Sequence, residues 1–170
     1  MSEAATTQNE EVVTRDIDRE PRVGSQKDPR VVTHTISLIP PNYVHTVWNE
    51  VEEHLAPAIA RSHGRWDMPS LYESMRAMKQ NLWIAFNAEN LIEGVGVTEF
   101  ISYPKKKMLV VQFLGGTDFN GWVWDILSQF KSWARDNECD GIEATGRHGF
   151  WKWLEQDGFI RAYTTYEREV

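Results

Sequence analysis

The sequence predicts one mixed α/β domain preceded by a flexible amino-terminal arm. Its 170 residues are the length of one ordinary domain, and a hydrophobic fraction of 41% with a charged fraction of 25% is typical of globular proteins. Strand patterns and helix patterns follow one another along residues 31–170, whereas residues 1–30 show neither helical nor strand periodicity. We therefore divide the chain into an arm, 1–30, and a domain, 31–170.

The arm is polar and carries both signs of charge. It has five basic and seven acidic residues, so it is not a basic nucleic-acid arm. Its few apolar residues are too few to offset the conformational entropy that ordering costs, so we expect it to be mobile in the isolated chain. Two interpretations stay open: a solvated tail, or a segment that becomes ordered when it lies across a partner.

The domain begins with a strand and a helical hairpin. Residues 31–39 are rich in β-branched side chains, and two prolines end this predicted strand. A helix is predicted over residues 42–56, where apolar residues recur at helical spacing, and Pro57 bends or closes it. A second helix is predicted to begin near Asp67 with Pro69 in its first turn.

Three consecutive strands come next and predict an antiparallel meander. They cover residues 82–86, 91–103 and 107–114, and turn-forming residues separate them. The remaining pattern predicts a helix over 121–136, a strand over 139–145, a short helix over 147–156 and a last strand over 159–168. Tryptophan is frequent in this half, and we expect some of these indoles to be exposed at an interface.

Composition excludes several classes of function. A formal net charge of −7 opposes binding to nucleic-acid backbones. Cys139 is the only cysteine, so an intrachain disulfide is excluded, and no histidine pair has metal-ligand spacing. No apolar run is long enough to span a membrane, and no secretory signal precedes the domain. We expect an intracellular protein without a metal site.

The order of elements resembles the GNAT (Gcn5-related N-acetyltransferase) superfamily. The most specific piece is the segment from Ala144 to Phe159, which resembles the strand, helix and Gly-Phe turn near the carboxyl end of those proteins. The resemblance implies a GNAT-like mixed sheet, splayed beside Phe113 and Leu114, with helices on both faces. It also implies that acetyl-CoA, where it binds, lies in the split.

The pyrophosphate loop of the resemblance falls on residues 114–121. If CoA binds, the implied cofactor-binding residues are Leu114, Gly115, Gly116, Asn120 and Gly121. Consecutive amides at a helix start attract phosphate, and glycine permits close approach of the backbone. This loop departs from the family pattern, because it contains no Lys or Arg and carries the negative Asp118.

The residues at the proton-transfer positions also differ from the family pattern. Leu154 stands where many family members carry a tyrosine, and the fourth strand offers Gln112 where a carboxylate base is expected. Glu99 on the preceding strand is the candidate that could replace this base. The alternative is that Glu99 is a solvent-facing strand residue.

A narrower resemblance is to small GNAT-like proteins encoded among the structural genes of tailed bacteriophages. It is carried by the Trp48 helix, the Asn81–Phe86 strand, the Tyr103-Pro104 turn, and residues 144–147 followed by Trp151. Several such proteins are thought to be virion components, and the resemblance therefore implies a bacteriophage virion or assembly protein.

Two hypotheses follow. The first is a non-catalytic interaction protein without a cofactor, located in the host cytoplasm or the virion. It would bind virion proteins through its arm and exposed aromatic residues. The second is an acetyl-CoA-dependent N-acetyltransferase with an atypical pyrophosphate loop. The departures at Asp118 and Leu154 favour the first hypothesis on sequence alone.

Overall fold

The computed structural model describes residues 32–170, so the predicted arm, 1–30, lies outside the described residues. A mixed sheet carries helices on both of its faces. The elements in chain order are β1 (Thr35–Ile39), α1 (Val44–Ala60), α2 (Met68–Arg76), β2 (Asn81–Phe86), β3 (Ile92–Tyr103), β4 (Lys106–Gly116), α3 (Phe119–Asp136), β5 (Gly141–Ala144) and α4 (Trp151–Gln156).

The five strands of the described chain are arranged in sequence order, β1-β2-β3-β4-β5. The first three pairs are antiparallel, which confirms the predicted meander. β4 and β5 are parallel because α3 connects them as a crossover.

Each face of the sheet has its own apolar core. α1 and α2 cover one face, where Leu55 and Leu71 pack against Ile84 and Val95. α3 covers the other face and buries Trp122, Ile126 and Phe130 against residues that include Trp83 and Leu109. Alternating strand residues therefore supply both cores, and the predicted placement of helices on both faces is confirmed.

Helix α1 extends beyond the end that the sequence predicts. Pro57 does not close the helix, which continues to Ala60. Proline inside a helix costs about 3 kcal/mol, while burying a large aliphatic side chain gains about 1.5–3 kcal/mol. Leu55 and Ile59 are both buried on either side of Pro57. Their burial offsets the lost backbone hydrogen bond and keeps this turn helical.

Helix α2 begins where the sequence predicted. The side chain of Asp67 accepts a hydrogen bond from the Ser70 amide at 2.7 Å, and Pro69 occupies the first turn. This hydrogen bond caps the helix, and hydrogen bonds from the side chain and then the backbone of Ser70 lower the pKa of the Asp67 carboxyl.

The last predicted strand, over residues 159–168, is wrong. This segment forms no ladder, and the Phe159 amide, which donates to the Leu154 carbonyl at 2.9 Å, and several side chains attach it to the domain. Arg161 stacks over the ring of Trp151 at 4.6 Å, and Glu167 forms an ion pair with Arg65. Its alternating sequence suits a strand, but it pairs with no strand of the sheet, and β5, which has only four residues, remains the edge strand.

Tyrosines are the most exposed aromatic residues, and a role of tryptophans at an interface stays a prediction. In the described part of the chain, the strongly exposed aromatic side chains are the tyrosines Tyr43, Tyr103, Tyr163 and Tyr166. The tryptophans are buried or half-buried, and Trp122 is fully buried. Among residues 32–170, no helix has the length and apolar character needed to cross a membrane.

Candidate active site

β4 and β5 separate after only four paired residues. Parallel pairing joins residues 108–111 to residues 141–144, while β4 runs on to Gly116 without a β5 partner. A cleft lies between residues 112–114 of β4 and residues 144–146 that follow β5. The split of the sheet is confirmed at the place where the sequence predicted it.

Apolar and aromatic side chains line this cleft. Leu114 lines one wall, and Leu154 of α4 faces it. The ring of Phe119 lies 5.2 Å from Phe150 and 4.8 Å from Trp153. We call these three rings the aromatic cover. The space that remains is about 40 Å³, little more than one water molecule occupies.

Gly115 and Gly116 end β4, and each is required for a different reason. A Cβ on Gly115 would collide with the carbonyl oxygen of His54 in α1. A Cβ on Gly116 would collide with the carbonyl oxygen of Glu93, and its φ of +145° lies in the region that favours glycine. The backbone conformation therefore requires glycine at position 116, whereas Gly115 is needed because α1 packs against it.

In the loop that follows, two backbone amides already donate hydrogen bonds within the protein. The Thr117 amide donates to the Glu93 carbonyl at 2.8 Å, and the Gly121 amide donates to the Asp118 carbonyl at 2.8 Å. Asp118 has a left-handed backbone and makes no side-chain cap to α3. The amides of Phe119 and Asn120 at the helix start therefore have no intrahelical acceptor.

Side chains at the start of α3 also make contacts within the protein. Asn120 accepts a hydrogen bond from the Trp153 indole at 3.0 Å, which ties α4 to α3. The carboxylate of Asp118 lies beside Gly121. A negative charge therefore stands at the positive end of the α3 dipole, where it competes with any anionic ligand.

A β-bulge orients the side chain of Gln112 toward the cleft between β4 and β5. Val97 pairs with Phe113 and Thr98 pairs with Val111, so Gln112 is the extra residue of β4. Its side-chain amide donates to the Glu99 carboxylate, and Gln112 also lines the cleft. Bulges often redirect a side chain beside an active site. Gln112 thus connects the cleft to Glu99.

A second carboxylate lies two strands away from Glu99. Glu99 and Glu143 are the cross-strand neighbours of Val110 on its two sides. Glu143 accepts hydrogen bonds from the hydroxyls of Tyr103 at 3.2 Å and Tyr163 at 2.8 Å. We call Glu99, Gln112, Glu143, Tyr103 and Tyr163 the acidic face.

The two phenols of the acidic face stay protonated at neutral pH. Burial and the negative charge of Glu143 raise the pKa of Tyr103. The hydrogen bond to Glu143, followed by its charge, raises the pKa of Tyr163. The face therefore presents two carboxylates and two neutral hydroxyls, a set that attracts an ammonium group and can accept its proton.

Sequence reasoning found Glu99 and missed Glu143, Tyr103 and Tyr163. Leu154 faces the cleft as a half-buried apolar side chain, so it offers no proton. Position 163 fell on a wrongly predicted strand. Positions 99 and 103 share one strand face by their spacing, which was the signal available for Tyr103.

A second polar cluster lies at the start of α3. His34 Nε2 contacts Glu93 Oε2 at 2.7 Å, and the His34 backbone amide donates to Asp125 at 3.2 Å. Hydrogen bonds from His34 and Asn87 lower the pKa of Glu93. This cluster fastens the chain before β1 to α3. In the described residues no three His, Cys, Asp or Glu side chains are placed to hold a metal ion.

Cys139 packs against the apolar core that α3 covers. The thiol is half-buried, and this burial raises its pKa, which opposes the formation of a thiolate.

Several solved acetyltransferases resemble this structure. Ribosomal-protein-alanine N-acetyltransferase from Brucella melitensis is 14% identical, with a TM-score of 0.63 over 81% of this chain and 99% of that chain. A Clostridium acetobutylicum protein described as a predicted acetyltransferase, solved with acetyl-CoA, is 11% identical, with a TM-score of 0.60 over 80% and 96%. An acetyltransferase from Trypanosoma brucei is 6% identical, with a TM-score of 0.58 over 81% and 99%.

No protein-family model and no curated protein sequence shows significant similarity to the chain. The structural likeness at these low identities establishes the fold alone. The predicted GNAT-like architecture is therefore confirmed.

Proposed function

We propose that this protein is an N-acyltransferase that transfers an acyl group from acetyl-CoA to an amine held at the acidic face. The observation that carries the proposal is the position of Gln112. Its side chain lines the apolar cleft and binds the Glu99 carboxylate. A thioester carbonyl in the cleft and an amine beside Glu99 would therefore meet at one place. The acetyltransferases that share the fold support this choice.

The acidic face suits an amine acceptor. Most amines arrive as ammonium ions, and the carboxylates of Glu99 and Glu143 would attract such a cation. Glu99 accepts the proton that the amine must lose before its lone pair can attack a carbonyl carbon. The neutral phenols of Tyr103 and Tyr163 bind both carboxylate oxygens of Glu143, whereas Gln112 binds one oxygen of Glu99, which makes Glu99 the more available proton acceptor.

The fit to acetyl-CoA is good for its acyl arm and weaker for its pyrophosphate. When bound, acetyl-CoA would supply the activated acyl thioester. The apolar walls of the cleft suit an acyl and pantetheine arm once the aromatic cover moves aside. The backbone at Gly116, where no side chain blocks close approach, and the amides of Phe119 and Asn120 would hold the pyrophosphate. Asp118 opposes that group, so we expect weak cofactor binding.

The five predicted cofactor-binding residues lie at different distances along the site, and not all of them face it. Leu114 lines the cleft, and Gly116 lies at the loop after β4. Asn120 and Gly121 lie at the start of α3. Gly115 packs against α1 and would serve the loop only indirectly. The roles of all five residues remain predictions.

The second candidate is the non-catalytic interaction protein, and three observations favour it: the charge of Asp118, the absence of a proton donor at Leu154 and the closed aromatic cover. In this case the arm and the exposed tyrosines would bind other virion proteins. The similar solved structures give no support to a phage role and favour the enzyme instead.

A transfer assay with the purified full chain separates the two candidates. Labelled acetyl-CoA is incubated with a lysine-containing peptide and with a small polyamine, and acetylated amine is quantified. The enzyme predicts product that depends on both protein and amine. An interaction protein predicts no product above the rate in buffer, together with no saturable binding of acetyl-CoA.

A further inference from the structure

The segment that follows α4 passes from one face of the sheet to the other. Near its start, Arg161 stacks over the ring of Trp151 in α4, which packs with α3 on one face. Near its end, Glu167 forms an ion pair with Arg65, which lies between α1 and α2 on the opposite face. We call residues 159–168 the strap.

The acidic face lies on the same side of the sheet as α1 and α2. Leu109 and Val111 belong to the core that α3 covers. Because side chains alternate along a strand, Val110 between them points to the opposite side. Glu99 and Glu143 are the cross-strand partners of Val110, so both carboxylates share that side. The strap therefore passes round the edge strand β5 toward the acidic face.

Tyr163, in the middle of the strap, occupies one oxygen of the Glu143 carboxylate. Its hydroxyl donates to Oε1 at 2.8 Å, while the hydroxyl of Tyr103 donates to Oε2 at 3.2 Å. Tyr103 belongs to β3, whereas Tyr163 belongs to a segment outside the sheet. Withdrawal of the strap would therefore free Oε1 of Glu143 without breaking a strand ladder.

The attachments of the strap are exposed to solvent. Every side chain from residue 160 to residue 170 is exposed, and none of these residues has regular secondary structure. The side chains of Arg65 and Glu167 are 51% and 52% exposed, and ion pairs at such positions stabilise little. A segment with few buried contacts opens at a low free-energy cost. The strap can therefore leave the acidic face while the domain stays folded.

We propose that the strap gates the acidic face, and that an acceptor amine displaces Tyr163 from Glu143. The proposal rests on the proposed function, because it places the acceptor amine at the acidic face. An ammonium ion binds a carboxylate through a charge-assisted hydrogen bond in which both partners are charged, whereas the phenol of Tyr163 is neutral. A cation can therefore replace the phenol, while a neutral molecule of the same shape has no such advantage. The closed strap thus lowers the affinity for the acceptor and favours cationic acceptors over neutral ones.

The n-butylammonium ion is a suitable probe, and n-butanol is its matched control because it keeps the alkyl chain without the charge. Binding to the full chain is followed by two-dimensional NMR of isotope-labelled tyrosine rings at neutral pH. We expect butylammonium to shift the ring signals of Tyr103 and Tyr163. The signals of Tyr166, which is 90% exposed in the same segment, should not move. Butanol should shift none of the three.

The variant Tyr163→Phe tests the gate, because it keeps the ring and removes the hydroxyl that occupies Glu143. It should bind butylammonium roughly threefold to tenfold more tightly than the wild-type chain, as followed by the signals of Tyr103. Tyr166→Phe makes the same chemical change in the same segment and should bind as the wild-type chain does.

The variant Glu167→Gln loosens the other end of the strap without touching the acidic face. It should also bind butylammonium more tightly than Glu169→Gln, which makes the same change in net charge. Equal affinity of the wild-type chain and Tyr163→Phe for butylammonium would overturn the gate and leave the proposed function standing. If butylammonium bound neither the wild-type chain nor any variant, both the gate and the acceptor site of the proposed function would be rejected.

Discussion

The side-chain amide of Gln112 donates a hydrogen bond to the carboxylate of Glu99 from the wall of the cleft between β4 and β5. Gln112 reaches this position because it is the extra residue of the bulge opposite Val97 and Thr98. A regular strand would place successive side chains on opposite faces of the sheet. The bulge therefore joins the two halves of the proposed reaction, the acyl cleft and the acidic face.

The variant Glu99→Gln should lose acyl transfer while it keeps the fold. Glutamine cannot accept the amine proton, so we expect the rate to fall by about 10²–10⁴-fold. The free energy of unfolding should change by less than about 1 kcal/mol, because an amide can replace the hydrogen bond to Gln112. Glu89→Gln, in an exposed turn, is the control and should keep full activity. Full activity in Glu99→Gln would show that another group accepts the proton.

The variant Gly116→Ala should destabilise the ends of β3 and β4. The added Cβ meets the Glu93 carbonyl, and the backbone at φ of +145° is strained for alanine. We expect a loss of about 2 kcal/mol or more in the free energy of unfolding, measured by urea denaturation. Gly149→Ala is the matched control, since its Cβ would meet no atom within 4 Å. Equal stability of the two variants would contradict this account of the loop.

The variant Asp118→Asn should bind acetyl-CoA more tightly than the wild-type chain. It removes the negative charge at the start of α3, a change worth about 0.3–1 kcal/mol, or roughly two- to fivefold in affinity. The gain should shrink as salt is added, because salt screens exposed charges. Asp136→Asn makes the same change in net charge at the other end of α3. A gain of the same size in both variants would assign the effect to net charge alone.

The hydrogen bonds that Glu93 accepts from His34 and Asn87 should make stability fall in acid. The pKa of Glu93 is lowered in the folded chain, so its contribution is present above the ordinary pKa of about 4.3 and is lost as the pH falls below it. Glu93→Gln should therefore be less stable than the wild-type chain at neutral pH, and the difference should narrow in acid. Thermal unfolding between about pH 3 and pH 7 measures this. A difference that does not depend on pH would argue against these hydrogen bonds.

Much of the fold could be predicted from the sequence because its elements are locally encoded. The apolar repeat of α3 and the alternation in β3 and β4 depend on neighbouring residues only. Residues 159–168 show the limit, because their alternation suits a strand but a ladder also depends on tertiary contacts that local sequence does not encode. Pro57 shows the same limit, since only the burial of Leu55 and Ile59 explains why the helix continues.

The candidate site was less accessible to sequence reasoning. Glu143 accepts a hydrogen bond from Tyr163, which lies in a segment without regular structure, and no local pattern encodes such a contact. The bulge at Gln112 is likewise a property of two paired strands.

The most direct test is acyl transfer by the wild-type chain and by Glu99→Gln, measured side by side with labelled acetyl-CoA and a lysine-containing peptide. The account predicts acetylated peptide from the wild-type protein and a loss of about 10²–10⁴-fold in the variant. It is contradicted if the folded wild-type chain neither acetylates an amine nor binds acetyl-CoA in a saturable manner.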